Sequence, residues 1–357
     1  MLVRSGVSVL VIRSGTVQGA YFRAGELPAA FDAGDVTAVV VGRSAEPGVD
    51  VHCEFPGGAA DRAGLLAGAG VFALERGLVA AGAGSGVGAG AGDGAGSVPV
   101  RVRVAETGVV VTVHVPDVPG GGYAGDTAIS GVPGTAARVL IEFADGADAA
   151  LLPTGRVVDD LGGVPATLIG AVAPASLIGG GVPATLIGGG VPVVLVAAAV
   201  LGVTGYETPA RLEYDDRLRA ALEALRLRAG RLLGLGAVTD REVPELCLVA
   251  PPVAGGGLCV RMVVRGQVQP AIGFRSALSV AAAAALPGSV AAQMSRPARV
   301  AGLRTAATGL RTGAGAVLRI EHPTGFLDVQ TGVPGRPGAN AVVTTARPLL
   351  DGRLPRL

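Results

Sequence analysis

The sequence predicts a mixed α/β (α+β) protein of two domains built on the same plan, and three observations support this. A chain of 357 residues is too long for one ordinary hydrophobic core. Half of the residues are hydrophobic but only 3% are aromatic, which indicates a core of Val, Leu, Ala and Ile. Each half places strand-like runs around one helix rich in Ala and Gly. We therefore expect domains at 1–205 and 206–357, with the last strand free to return to the first domain.

The first half reads as short strands around a single helix. Residues 1–23 predict a strand, a tight turn and a second strand, and residues 49–55 (VDVHCEF) predict another short strand. A helix rich in small residues follows at 61–78. Residues 80–97 are almost entirely Gly and Ala and cannot bury enough side-chain surface to offset the entropy of ordering, so we expect a surface loop. A hairpin then turns at 106–108.

An internal repeat of period nine occupies residues 162–197 and reads GGVPATLIG, AVAPASLIG, GGVPATLIG and GGVPVVLVA. Each unit is a Gly/Pro corner followed by strand-forming residues. Because an odd period turns the side chains to the opposite face of a sheet, only the addition of two units keeps the core residues buried. We therefore expect a repeat insert at 171–188. The region carries no charge, but its recurrent Gly and Pro argue against a membrane-spanning helix.

The second half repeats the plan of the first. Residues 210–234 predict the clearest amphipathic helix of the chain, with leucines on one side and Arg and Glu on the other. A second helix of small residues is expected at 270–285. The strands expected around that helix lie at 243–250, 258–264, 316–321, 326–330 and 340–346.

The charged residues and the cysteines exclude several classes of function. The formal net charge of +1 gives no electrostatic footprint for nucleic acid or an anionic membrane. All 29 basic residues are arginines, so no amine side chain can act as a base or nucleophile. Cys53, Cys247 and Cys259 lack the spacing of a metal site, and the last two lie in strand-like runs typical of buried thiols.

Two further features bear on source and location. The bias towards Ala, Gly, Val, Arg and Pro is typical of a GC-rich genome and suggests an actinobacterium. The first residues alternate like a strand and lack the basic start and long apolar run of a secretion signal. We therefore expect a cytoplasmic protein.

Seven segments spread along nearly the whole chain, from LVIRSGTVQGAYF at 10–22 to TTARPLLDG at 344–352, resemble the PrpF family. The resemblance implies the diaminopimelate-epimerase-like fold, in which two pseudo-symmetric domains each wrap a curved, mostly antiparallel sheet around a central helix. The matching segments are LVIRSGTVQGAYF (10–22), LLAGAGVFALERGLV (65–79), GDTAISGVPGTAARVLIEF (125–143), LGVTGYETP (201–209), PAIGFRSALSVAAAAALPGSVA (270–291), IEHPTG (320–325) and TTARPLLDG (344–352).

The resemblance also implies a function. The family includes 4-oxalomesaconate tautomerase, methylitaconate isomerase and an aconitate isomerase, which move a proton between carbons of a small unsaturated acid without a cofactor. Their site lies in the cleft between the domains, where the N-termini of both central helices face the substrate carboxylates. For this chain the resemblance implies a small-molecule substrate in that cleft and neither metal nor cofactor, and it leaves an oligomer possible.

The departures from the family pattern fall on the positions that carry its chemistry. The first central helix of the family opens with Cys-Gly-Asn, and the matching residues here are Arg62, Ala63 and Gly64. The family loop RGGTSKG has its Ser-Lys pair replaced by Val17-Gln18, and the Thr-Gly pair of the second helix is replaced by Arg275-Ser276. A guanidinium cannot take the proton that a helix-terminal thiolate would take.

The resemblance therefore yields candidates rather than an assigned acid–base pair. The candidate catalytic residues are Asp126, His322 and Cys53. The candidate substrate-binding residues are Thr16, Gln18, Arg62, Ala63, Gly64, Asp126, Thr127, Gln269, Ala271, Arg275 and Ser276.

Three hypotheses of function stay open. The first is a cofactor-independent isomerase or tautomerase of a small unsaturated acid, with the usual Cys and Lys replaced. The second is a repurposed isomerase or cyclase of specialised metabolism, whose cleft orients a larger and less polar substrate. The third is a non-catalytic relative that binds a ligand. Arg62 likewise has two interpretations: a solvated side chain after Asp61, or a cleft residue that pairs with an anion.

Overall fold

The chain forms two compact units, the first comprising Met1–Ala144, Pro334–Arg336 and Ala341–Leu357 and the second Asp145–Val333 and Pro337–Asn340. Sheets dominate both units, and the mixed α+β class predicted from the sequence is confirmed. The computed structural model describes residues 6–29, 31, 34–58, 62–80, 96–117, 122–143, 150–162, 181–188, 190–296, 316–333 and 336–354.

The first unit is a sheet that closes on itself around one helix, α1 (Arg62–Glu75). The strands pair in chain order, and the last strand pairs with both the seventh and the first. Pairing is antiparallel except between the second and third and between the fourth and fifth strands. The strands are β1 (Val7–Ser14), β2 (Val17–Arg23), β3 (Thr37–Arg43), β4 (Val51–Glu54), β5 (Ser97–Val104), β6 (Val110–Pro116), β7 (Arg138–Phe143) and β16 (Arg336–Leu354).

The second unit is a sheet in the order β8-β9-β10-β11-β12-β14-β15, with β13 paired to β12. Its pairs are antiparallel except for β10–β11 and β12–β14, which are parallel. The strands are β8 (Asp159–Asp160), β9 (Pro183–Ile187), β10 (Val193–Ala197), β11 (Glu245–Ala250), β12 (Leu258–Val264), β13 (Gln267–Val268), β14 (Ala316–His322) and β15 (Gly325–Val333).

Helices cover both faces of this second sheet. The long helix α3 (Asp216–Leu232) packs on the face that carries Leu246 and Leu248. The central helix α4 (Phe274–Ala285) and the short α5 (Val290–Met294) pack on the face that carries Cys247 and Val249. Because successive residues of β11 point to opposite faces, this one strand contributes to two hydrophobic cores.

The amphipathic helix expected at 210–234 is two helices rather than one. A short helix, α2 (Pro209–Glu213), precedes α3, and the chain breaks at Tyr214 and Asp215. Asp215 is extended, and its carboxylate accepts the Leu218 N–H at 2.9 Å, which caps the start of α3. An aspartate stabilises a helix more as its N-cap than in its interior. The chain therefore starts a new helix after Asp215, although the hydrophobic periodicity continues through this point.

The boundaries of the two units differ from the expected domains. The expected boundary lay at 205, but β10 pairs in parallel with β11, which ties residues 193–197 to the second unit. The third repeat unit, part of the expected insert at 171–188, forms β9, whose side chains are buried from Ala184 to Ile187. The repeat residues 163–180 and most of the loop expected at 80–97 lie outside the described residues.

Candidate active site

The first turns of α1 are fastened to the sheet of the first unit by a buried serine. Ser14 ends β1 and is fully buried. Its hydroxyl donates to the carbonyl of Gly64 and accepts the N–H of Gly68 at 3.0 Å. These two groups are four residues apart and would normally bond each other, so the hydroxyl is inserted into the hydrogen-bond ladder of the helix. This contact fixes the height and rotation of the helix N-terminus.

The small residues of α1 make room for the interior of the first unit. The Tyr21 hydroxyl donates to the carbonyl of Leu65 at 2.7 Å, and a Cβ at Gly68 would lie 2.1 Å from that hydroxyl oxygen. A Cβ at Gly70 would lie 2.6 Å from a methyl carbon of Val113. The bare side of this helix therefore faces its own sheet, and burial raises the pKa of Tyr21 well above its usual range.

The loop that follows β6 approaches the turn between β1 and β2. Thr127 bridges to Ala136 through two backbone hydrogen bonds, and a Cβ on Gly131 at the loop tip would lie 4.0 Å from the Thr16 methyl. Thr16 and Asp126 are exposed and Thr127 is half-buried. The tip of this loop therefore lies close to the β1–β2 turn that carries Thr16.

Arg62, Ala63 and Gly64 form the start of α1. Arg62 is the first residue of α1, and its side chain lies outside the described residues, so both interpretations of this arginine stay predictions. Ala63 is half-buried and Gly64 is buried. Gln18 lies on β2, half-buried and opposite Arg13 in the β1–β2 ladder. No acidic residue lies in the first turn of α1.

The second unit places a carboxylate at the start of its central helix. Glu245 begins β11, and its Oε2 accepts a hydrogen bond from the buried Ser276 hydroxyl at 2.6 Å. Burial raises the pKa of Glu245, while Ser276 and the charge of Arg275 act to lower it. Gly273 precedes α4 in an extended conformation, and no side chain caps the helix.

The segment that leads into α4 also contacts His322. The Thr324 hydroxyl donates to the Pro270 carbonyl at 2.9 Å and lies 3.2 Å from Nδ1 of His322. Burial lowers the pKa of His322, so the imidazole is predominantly neutral at pH 7. Ala271 is exposed, and the half-buried Gln269 donates its backbone N–H to Met262 and its side-chain N–H to Gln267. His322 is thereby placed beside the start of α4.

All three thiols are buried inside the sheets. Cys53 on β4 and Cys247 on β11 are fully buried, and Cys259 on β12 is nearly so. Burial raises the pKa of each thiol, and neighbouring carboxylates raise it further. Buried neutral thiols are poor nucleophiles and poor bases, which weighs against Cys53 as a catalytic residue.

We expect the three thiols to resist modification in the folded protein. Ellman's reagent should leave native protein unlabelled over minutes and react with all three thiols after unfolding in guanidinium chloride, because the reagent needs an accessible thiolate. The variant Ala45→Cys, at an exposed position, provides the positive control and should label at once. Rapid labelling of the unmodified chain would contradict the burial of its thiols.

Two features of the described residues concern metal ions and membranes. Among those residues no group of three or more His, Cys, Asp or Glu side chains is arranged to hold a metal ion. Among the helices described, none has the length and apolarity to cross a membrane.

Comparison with known proteins places the chain. The PrpF protein family matches residues 36–355. The chain belongs to the PrpF family. Two characterised relatives of this PrpF protein are the (4E)-oxalomesaconate Delta-isomerase of Novosphingobium sp. (strain KA1) and the 4-oxalomesaconate tautomerase of Pseudomonas putida KT2440. The first is 36% identical over 96% of this chain and 95% of its own, and the second is 35% identical over 97% and 95%.

The fold of the PrpF protein is that of a known family structure. The crystal structure of methylitaconate-delta-isomerase matches with a TM-score of 0.71 and 22% identity over 98% of this chain and 95% of the other. The family predicted from the sequence segments is therefore confirmed, and the fold resembles that of methylitaconate-delta-isomerase.

Sequence reasoning missed two residues that the structure brings to the helix N-termini of the PrpF protein. Ser14 stands where the family loop has Gly, and it lies on the same face of β1 as the buried Ile12 and Leu10. Glu245 opens the run ELCLVA on the face shared by Cys247 and Val249. In both cases the signal was a polar residue in phase with buried neighbours of a strand.

Proposed function

We propose that this chain is an isomerase that moves the carbon–carbon double bond of a small unsaturated carboxylic acid by proton transfer. The observation that carries the proposal is the extent of the family match, which spans residues 36–355. The oxalomesaconate isomerase and tautomerase that resemble the chain over nearly its full length support the same reaction class.

We propose that backbone N–H groups at the starts of α1 and α4 bind the substrate carboxylates. An α-helix leaves its first N–H groups without intrahelical partners, and its dipole favours an anion there. Neither helix has an acidic residue in its first turn, and α4 starts without a side-chain cap. The positive charge of Arg275, in the first turn of α4, adds to this attraction. That one substrate contacts both helices stays a prediction from the family resemblance.

The reaction needs only the substrate and one or two protein groups that carry the proton. A base removes a proton from the carbon beside the double bond, and the electron pair of that C–H bond forms the new double bond. The electron pair of the old double bond then takes a proton at the far carbon. Nothing is oxidised or reduced, so the chemistry calls for no redox cofactor.

We propose that neither an amine nor a thiol serves as that base here. The chain contains no lysine, and its three cysteines are buried in the neutral form. Carboxylates and His322 remain as proton carriers among the described residues near the two helix starts. The Cys and Lys chemistry of the family is replaced rather than retained under this proposal.

Exchange in deuterated water tests the proposed reaction. Incubation with oxalomesaconate, cis-aconitate or 3-methylitaconate should incorporate deuterium at the allylic carbon of at least one acid and produce its isomer, as followed by proton NMR. Protein unfolded by heat is the control and should give the uncatalysed rate. If none of the three acids shows exchange or isomer formation, the proposal is wrong.

The absence of lysine together with the burial of all three thiols also favours a second candidate, a relative that binds an acid without turning it over. Calorimetry separates the two. Binding of cis-aconitate without any exchange would select the binding protein. If the protein neither binds cis-aconitate nor catalyses exchange, the result would instead favour a repurposed enzyme with a larger, less polar substrate.

A further inference from the structure

We infer that Glu245 is the catalytic residue that takes and returns the proton in the proposed isomerisation. The inference rests on the proposed function and deepens it by naming the acid–base group. It concerns a carboxylate that sequence comparison with the family did not single out, and it is carried by the surroundings of Glu245 at the start of α4.

The two oxygens of Glu245 have different surroundings. Oε2 is held by the Ser276 hydroxyl at 2.6 Å, and Ser276 lies in the first turn of α4. Oε1 accepts no hydrogen bond from any residue that the structure describes, and it is not among the buried polar atoms left without a partner. The side chain is half-buried. A carboxylate fixed through one oxygen and open through the other has the form of a general base.

Charged groups on both sides of Glu245 act on its pKa. Arg275 of α4 stabilises the carboxylate, and Glu242 in the segment before β11 destabilises it. Burial is the largest influence and raises the pKa above the usual value for a glutamate. A base works best when its pKa approaches the working pH, and a half-buried glutamate reaches that range more easily than an exposed one.

The other candidates fit the role less well. Asp126 is exposed and has no described partner that would orient it. The His322 ring is engaged by the Thr324 hydroxyl, 3.2 Å from Nδ1, and by the backbone of Phe326 and Pro270. Cys247 points to the same side of β11 as Glu245 but is fully buried. Glu245 alone among these combines a fixed orientation with an open oxygen.

One carboxyl group suffices for the whole reaction. The Glu245 carboxylate takes the proton from the allylic carbon and becomes a neutral acid, while the C–H electron pair forms the new double bond. The same acid then returns the proton to the far carbon, where the electrons of the old double bond form the new C–H bond. The residue ends the cycle ionised, as it began.

The test compares Glu245→Gln, Ser276→Ala and the control Glu54→Gln in the deuterium exchange assay with the acid that the wild type turns over. Glutamine keeps the acceptor for Ser276 but cannot take a proton, so kcat/KM should fall by more than about 100-fold. Binding of cis-aconitate, measured by calorimetry, should change by less than about threefold. Glu54 is exposed at the end of β4, and its variant should keep full activity.

The pH profile of Ser276→Ala separates a proton carrier from a structural residue. The hydroxyl lowers the pKa of Glu245, so its removal raises that pKa. A base must be ionised, so kcat/KM falls as the pH drops through its pKa, and the acidic limb of the profile should move to higher pH in the variant. A structural role would leave the limb where it is.

The outcomes are distinguishable. Loss of exchange in Glu245→Gln with retained binding, plus the shifted limb, supports the inference. An active wild type with a Glu245→Gln variant within about fivefold of it overturns the inference and leaves the proposed function standing. A wild type that exchanges none of the three acids overturns the proposed function, and the role of Glu245 falls with it.

Discussion

Replacing Gly68 with alanine should destabilise the protein by about 3 kcal/mol, although alanine is the better helix former by about 1 kcal/mol. The new Cβ would lie 2.1 Å from the Tyr21 hydroxyl oxygen and 2.5 Å from the ring carbon that carries it. Tyr21 is fully buried and held to Leu65, so it cannot move aside without losing that hydrogen bond. Urea unfolding followed by circular dichroism measures the difference.

The matched control is Gly122→Ala, where no atom of the described residues lies within 4 Å of the new Cβ and the backbone φ is not positive. Its stability should stay within about 0.5 kcal/mol of the wild type. The variant Tyr21→Phe removes the nearest atom, so the double variant Gly68→Ala/Tyr21→Phe should lose less stability than the sum of the single variants. Additive losses would show that the clash is not with Tyr21.

This result would bear on the meaning of a helix rich in small residues. The sequence alone does not show whether the glycines of α1 make room for a ligand or for the interior of the protein. In the structure Gly68 and Gly70 face Tyr21 and Val113 of the same unit. A helix packed inside a closed sheet must come close to strands on several sides, and small residues permit that approach. These two glycines therefore serve the packing of the first unit.

The strands could be predicted because their residues alternate or form short apolar runs. The buried valines of β5, at every second position from Val98 to Val104, are one example. The boundary between the two units could not be predicted, because it depends on pairing between distant strands. β10 ends the repeat and pairs with β9 just before it, but it also pairs with β11, some fifty residues later, and periodicity carries no information about that choice.

The candidate site was predictable where the family resemblance supplied positions and was missed where this chain has its own solution. Thr16 and Thr127 came from matching segments, and the structure brings their loop and turn together. Ser14 and Glu245 were missed because each acts through a partner at least thirty residues away. A contact of that kind appears only when the fold is known.

Replacing Glu321 with alanine should lower the free energy of unfolding by about 4 kcal/mol, the largest destabilisation we expect in the second unit. Its buried carboxylate accepts three backbone N–H groups from the loop between β11 and β12, those of Val253 and Ala254 at 2.8 Å and Gly256 at 2.6 Å. Alanine would leave all three donors without a protein acceptor. Hydrogen exchange of residues 253–256, measured by mass spectrometry, should accelerate together with the loss of stability.

The comparison with Glu106→Ala calibrates this expectation. Among the described residues, Glu106 accepts one backbone N–H, that of Phe55 at 2.6 Å. Its replacement by alanine should therefore lower the free energy of unfolding by about 1 kcal/mol. Glu321→Gln should fall between the two, because an amide offers one acceptor oxygen and turns a second N–H donor towards the loop. Because His322 follows Glu321 on β14, a loosened loop should also reduce exchange activity. Equal losses in Glu321→Ala and Glu106→Ala would show that the loop is not held by the carboxylate.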